Sequence, residues 1–217
     1  MNLRTSHRLL KKSLIVVTMS FQISLLKGTM IHQLLQEANN GFFAHRSMRL
    51  DFLKNCPQVI PILAQWLFEE WHTYDASVTQ EKLINSFKTR LNYDKVPMTF
   101  VAFKGETPIG VISLRTQTDP EFSDYPATSV WMGSLFVVSE ERNQGVGKEL
   151  VKFAATIAKY LGHDELYFYT SAPTRVDWYL KQHAQILDKR TFHNHLVIVM
   201  RIPLKDLYEL QCLNPCN

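Results

Sequence analysis

The chain has 217 residues, 46% of them apolar and 12% aromatic, enough to bury one core with an extension beside it. Its net charge of +4 comes without any long block of like charges, which argues against a non-specific nucleic-acid binder. Cys56, Cys212 and Cys216 show no zinc-like Cys/His spacing and read as free thiols of a reducing compartment.

Residues 1–29 differ in character from the rest. Arg4, His7, Arg8, Lys11 and Lys12 precede an apolar run that begins at Leu14-Ile15-Val16-Val17 and is broken by Ser20, Gln22 and Ser24. Basic then apolar is the order of a secretory leader, but no small-x-small cleavage site follows. The run is also too short and too polar to span a bilayer. Translation from Met30 or Met48 is the favoured reading. Residues 1–47 are then an N-terminal extension that need not be structured, residues 48–203 the domain, and residues 204–217 a C-terminal tail.

The domain opens on an alternating strand, Met48 to Leu53. Pro57 suits a first helical turn, and Val59, Ile62, Leu63, Trp66 and Leu67 follow in helical register to Trp71. Thr79 caps a second helix with Leu83, Ile84, Phe87 and Leu91 on its buried face. Two apolar strands, Met98–Phe103 and Ile109–Leu114, flank the turn Lys104-Gly105-Glu106-Thr107-Pro108. Gly110 within the second strand predicts a bulge or a close backbone approach. Residues 116–128 read as a loop. A strand through Leu135-Phe136-Val137-Val138 leads into a polar turn and then a helix carrying Leu150, Val151, Ala154, Ile157, Ala158 and Leu161 on one face, stopped by Gly162. Glu165–Thr170 is a strand, Thr174–His183 a short helix, and apolar runs at Gln185–Leu187 and Leu196–Ile202 close the domain. His193-Asn194-His195 has no carboxylate or cysteine at ligand spacing and reads as a turn between the last strands, not a metal site.

The chemistry concentrates in Arg142-Asn143-Gln144-Gly145-Val146-Gly147-Lys148, between a strand and a helix. Glycines without Cβ let a ligand approach the backbone, and the first N–H groups of a helix lack partners and carry partial positive charge. Such a turn suits a phosphate or pyrophosphate. GxxxxGK[ST] is absent, and the dinucleotide fingerprint needs a third glycine, so neither of those loops is present.

An R/Q-x-x-G-x-G turn after a strand and before an amphipathic helix resembles motif A of the GNAT superfamily of N-acetyltransferases. The stretch Trp66-Leu67-Phe68-Glu69-Glu70-Trp71 is similar to the W-x-x-x-E-W of a bacterial subgroup, as are Val101–Arg115 and Trp131–Gly147, in the same order and at similar spacing. The resemblance covers residues 48–203. It implies an α/β (α+β) fold whose mixed sheet splays at a central parallel strand pair, and acetyl-CoA as acetyl donor, with no metal. Leu135, Phe136 and Val137 would pair with the pantetheine arm through their backbone, as an added strand does. Asn143, Gln144, Gly145, Val146, Gly147 and Lys148 would surround the pyrophosphate, with Arg142 bracing the turn. Tyr179 matches the tyrosine that gives a proton to the departing thiolate. The chain departs from the family around it, with His183 for a common glycine, Ala184 for an aromatic residue and Ala172 for an asparagine.

Direct attack by an amine needs a proton acceptor, and Glu69, Glu70, Asp75, Asp119, Glu121 and Asp124 are the candidates. Glu70, between Trp66 and Trp71, is the first choice and Asp119 the second. The acceptor is expected to be the primary amine of a small molecule or a protein, in the cytoplasm where acetyl-CoA is held. No nucleic-acid or membrane partner is expected, and a homodimer is the assembly the family often forms. A second reading stays open: an acyl-CoA-binding sensor or interaction module of the same fold without turnover.

Overall fold

The computed structural model describes residues 26–205 except 74, 76 and 118. The basic-then-apolar start up to residue 25 and most of the tail, with Cys212 and Cys216, lie outside the described residues. Helix α1 covers residues 26–38, and a π-helical turn, Asn39–Phe43, and a 3-10 turn, Ala44–Arg46, carry the chain to strand β1, Met48–Phe52. There follow α2 (Ile60–Trp71), α3 (Gln80–Lys88), β2 (Met98–Lys104), β3 (Thr107–Thr116), β4 (Val130–Val137), α4 (Val146–Tyr160), β5 (Glu165–Thr170), α5 (Pro173–Leu180), β6 (Gln185–Phe192) and β7 (His195–Pro203).

The seven strands form one sheet in the order β1-β2-β3-β4-β5-β7-β6. Every pairing is antiparallel except β4 with β5. Strand β2 shows why the sheet is covered on both faces. Phe100 and Ala102 pack with α1 and α4, while Val101 and Phe103, one residue out of phase, pack with α2 and α3. Helix α4 presents Leu150, Val151, Ala154, Ile157 and Ala158, all buried, as its periodicity predicts. Thr79 caps α3 by accepting the Lys82 N–H at 3.2 Å, and Gly162, at φ +93°, ends α4.

Two expectations need correction, and a third holds with an addition. Residues 26–47 belong to the folded unit: Ile31, Leu35 and Phe43 lie in the same core as α4. The Asn39 side chain completes the free edge of β1, donating to Leu50 O at 2.9 Å and accepting Leu50 N–H at 2.6 Å. Strand β6 runs on from Leu187 to Phe192. Its polar residues mislead a hydrophobicity reading because β6 is an edge strand with one exposed side. Residues 116–128 do form the connection between strands, but Phe122 is buried against Trp131, Val197 and Val199. Arg190 of β6 holds this connection by donating to both oxygens of Asp124, at 2.9 and 3.0 Å.

Candidate active site

The site grows from the one parallel pairing. Strands β4 and β5 are in register only at Val130↔Leu166 and Trp131↔Tyr167, and then part. From Met132 onward the β5-facing edge of β4 is therefore open. Within that stretch β4 holds an extra residue: Gly133 faces Ser113 while Phe136 faces Val111, and Ser134 sits at φ +56°. Such a bulge turns backbone groups out of the ladder. Opposite it, Gly110 leaves room for the approach anticipated from sequence, since a Cβ there would stand 3.1 Å from both Leu150 Cδ1 and Phe136 O.

At the end of β4 the chain makes a 3-10 turn, Ser139–Glu141, and enters the glycine loop. Buried Glu141 pairs with Lys104 Nζ at 2.7 Å and fixes the turn to β2. Arg142 Nε donates to Val137 O at 2.8 Å, and Gln144 Nε2 to Glu140 O at 2.9 Å, so both side chains brace the loop. Asn143 (φ +62°) and Gly145 (φ +88°) give it left-handed curvature. The first helical hydrogen bond is Glu149 N–H to Gly145 O at 3.0 Å, so the N–H groups of Val146, Gly147 and Lys148 emerge at the helix end.

The loop fits a pyrophosphate on its own geometry: glycine curvature, free amides and a lysine at one helix start. The open edge of β4 at Leu135, Phe136 and Val137 fits an amide-bearing arm. The residues present thus suit acetyl-CoA.

Beyond the bulge lies a cavity of about 530 Å³, bordered by α2, α3, the middle of β4, β5, α5 and the β6–β7 turn. Leu135 and Tyr179 both line it. Tyr179 packs its ring on Phe168, centroids 4.5 Å apart, and burial pushes its phenol up to about 12. Its neighbour Trp178 borders the start of α4, 3.7 Å from where a Gly147 Cβ would stand. Tyr179 is therefore on the same side of the sheet as the glycine loop.

The carboxylates distribute differently from the sequence ranking. Glu70 pairs with Arg175 and does not line the cavity, whereas Arg175 does. Glu69 accepts from Gln65 on the exposed side of α2, and Asp124 is held by Arg190, as is Glu121 through its backbone oxygen. Asp75 and Asp119 line the cavity. Asp75 is held below the usual carboxylate range, chiefly by the Ser77 side chain, and meets His193 Nδ1 at 3.3 Å. The Asp119 carboxylate has no partner among the described residues.

His193 and Asn194, at φ +47° and +63°, form the expected turn. Among the described residues, no three His, Cys, Asp or Glu side chains come together as metal ligands.

Three lining residues were missed from sequence, Arg90, Arg115 and Ser134, as was buried Ser113, which accepts from Arg90. Arg115 and Ser113 share a face of β3 with Val111, a two-residue spacing visible in the sequence. The burial of Arg90 had no local signal.

Residues 57–183 match the acetyltransferase (GNAT) family. Among solved structures, an aminoglycoside 6′-N-acetyltransferase complexed with coenzyme A is similar at 16% identity, covering 71% of this chain and 96% of its own, TM-score 0.55. A GNAT-family acetyltransferase from Streptococcus pneumoniae is 15% identical, covering 72% and 98%, TM-score 0.53. An apo nucleotide-linked sugar GNAT is 17% identical, covering 77% and 93%, TM-score 0.56. At these identities the likeness is one of fold. No curated protein sequence matches the chain.

Proposed function

Because the chain belongs to the acetyltransferase (GNAT) family, we propose that it transfers the acetyl group of acetyl-CoA directly to the primary amine of a small molecule or protein. The observation that carries this reading is the continuity of three features: the braced glycine loop, the open β4 edge beyond Trp131, and a cavity reaching Tyr179. Acetyl-CoA would supply an activated thioester at the inner end of that path. Val146, Gly147 and Lys148 would hold its phosphates, and Leu135, Phe136 and Val137 its arm.

Tyr179 keeps its phenolic proton at neutral pH, since burial raises its pKa to about 12, and offers it to the departing sulfur. Asp119 takes the amine proton. It replaces Glu70 in that role because Glu70 is engaged by Arg175 outside the cavity, whereas Asp119 lines it. Glu70 then acts by positioning Arg175 at the cavity wall.

The bacterial subgroup rests on sequence likeness alone; within the W-x-x-x-E-W stretch Trp66 stacks on Phe136, centroids 5.3 Å apart, against the strand that would hold the arm. We place the protein in the cytoplasm on the need for acetyl-CoA. No helix among the described residues is long and apolar enough to cross a membrane. The alternative, a sensor of acyl-CoA without turnover, draws on Ala172, His183 and Ala184. A thiol-release assay of the full chain with a broad amine panel separates the two. Acceptor-dependent release supports transfer, and binding of acetyl-CoA with no release from any amine would leave the sensor.

A further inference from the structure

The floor of the cavity carries more positive charge than the fold needs. Arg90, just past the end of α3, is 9% exposed, and among the described residues the hydrogen-bond partners of its guanidinium are neutral hydroxyls. Its Nη1 donates to Ser113 Oγ at 3.2 Å and Ser134 Oγ at 2.9 Å, and its Nη2 to Ser86 Oγ at 2.5 Å. Arg115 reaches the same floor from β3. Its Nη2 meets Tyr169 Oη at 3.4 Å, and its Nε is buried without a partner. Gly133 is what admits it, since a Cβ there would stand 3.0 Å from Nε.

Neither guanidinium pairs with a carboxylate among the described residues. Burial pulls Arg90 down to about 10, and the charge of Arg115 adds to the effect, so Arg90 stays charged at neutral pH. Lys82 adds a third cation to the lining, while Asp75 is engaged with Ser77 and His193. A buried guanidinium beside a half-buried one, neither paired with a carboxylate, is costly, and the cost falls when a ligand brings the anion. Guanidinium forks match the planar or tetrahedral oxygens of carboxylate and phosphate.

We propose that the acceptor amine carries its own oxyanion, a carboxylate or a phosphate, which Arg90 and Arg115 hold while the amine faces Tyr179 and Asp119. The proposal rests on the acetyltransferase reading and names its substrate class. It disfavours polycationic acceptors of the aminoglycoside type, which the same arginines repel.

The test is a thiol-release assay of the full chain with acetyl-CoA and amines in matched pairs, beginning with glycine against glycinamide and phosphoethanolamine against ethanolamine. Charge readout of this kind is expected to favour the anionic member by about tenfold or more in kcat/KM. The first pair reports a carboxylate site and the second a phosphate site. In Arg115→Met the ratio within the favoured pair falls towards one, through KM, and Arg115→Lys gives an intermediate ratio. Thermal melting of both variants shows whether they fold. A panel in which only neutral or cationic amines turn over would overturn the proposal and leave the acetyltransferase reading intact, as would a ratio unchanged in both variants. Turnover of no amine at all overturns both.

Discussion

The Phe42 ring lies on Gly145. A Cβ on that glycine would stand 3.1 Å from Phe42 Cε2, and Gly145 itself is at φ +88°. The segment before β1 therefore reaches the loop assigned to the pyrophosphate, besides filling the core with Ile31, Leu35 and Phe43. A chain beginning at Met48 loses all four side chains. Ile31→Ala alone is expected to cost about 2–5 kcal/mol, as deletions from filled cores do. Urea unfolding of the full chain, Ile31→Ala and the truncation measures this. A truncation as stable as the full chain would remove residues 26–47 from the fold account.

His183 stands where the related family often has glycine, and it adopts φ +63°, the left-handed conformation that glycine accepts without strain. The turn after α5 thus keeps its shape with a side chain bearing the cost. His183→Gly is expected to stabilise the protein by up to about 1 kcal/mol, the relief of strain exceeding the entropy added to the unfolded chain. A lowered urea midpoint would show that His183 makes contacts worth more than the strain.

Tyr179→Phe is expected to leave the fold intact, because the hydroxyl has no protein partner among the described residues. Turnover should drop by about 10²–10⁴-fold with little change in acetyl-CoA affinity. The raised phenol also has a pH consequence. Its contribution to stability is fully present below the unfolded value near 10 and is lost as pH rises through about 12. Buried Cys56, raised from 9.0 to about 12, acts in the same direction and begins to lose its contribution earlier. Urea midpoints at pH 8 and pH 11 should differ more for the wild type than for Tyr179→Phe.

Asp119→Asn should lower kcat about 10²-fold or more with little change in KM. Glu70→Gln should act mainly on KM, by freeing Arg175 at the cavity wall. The opposite split would return the proton-accepting role to Glu70.

The core of the fold was legible because its signals are local. Apolar spacing marked α4, alternation marked β1, an apolar run marked β3, and Gly145, Gly147 and Gly162 marked the turns and ends. The element order from β1 to β7 followed from these. What escaped depends on partners distant in sequence. Ile31 and Leu35 have helical spacing, but Gly28 and Asn39-Asn40-Gly41 flank a segment too short to stand out. Arg115 sits in a strand pattern where an arginine ordinarily faces water, and only Gly133 on β4 makes room for it within. The same limit applies to the carboxylates. Nothing near Glu70 in the sequence announces Arg175, and the ion pair between them moved the ranking towards Asp119.

The most direct measurement is a calorimetric titration of acetyl-CoA into the full chain, with Gly145→Glu as control. In that variant a charged side chain occupies a left-handed position against Phe42 and faces the phosphates with like charge. Saturable binding at one site, lost in the folded variant, is the predicted result. A folded wild-type chain that takes up no acetyl-CoA would contradict the assignment of the loop and the acetyl transfer built on it.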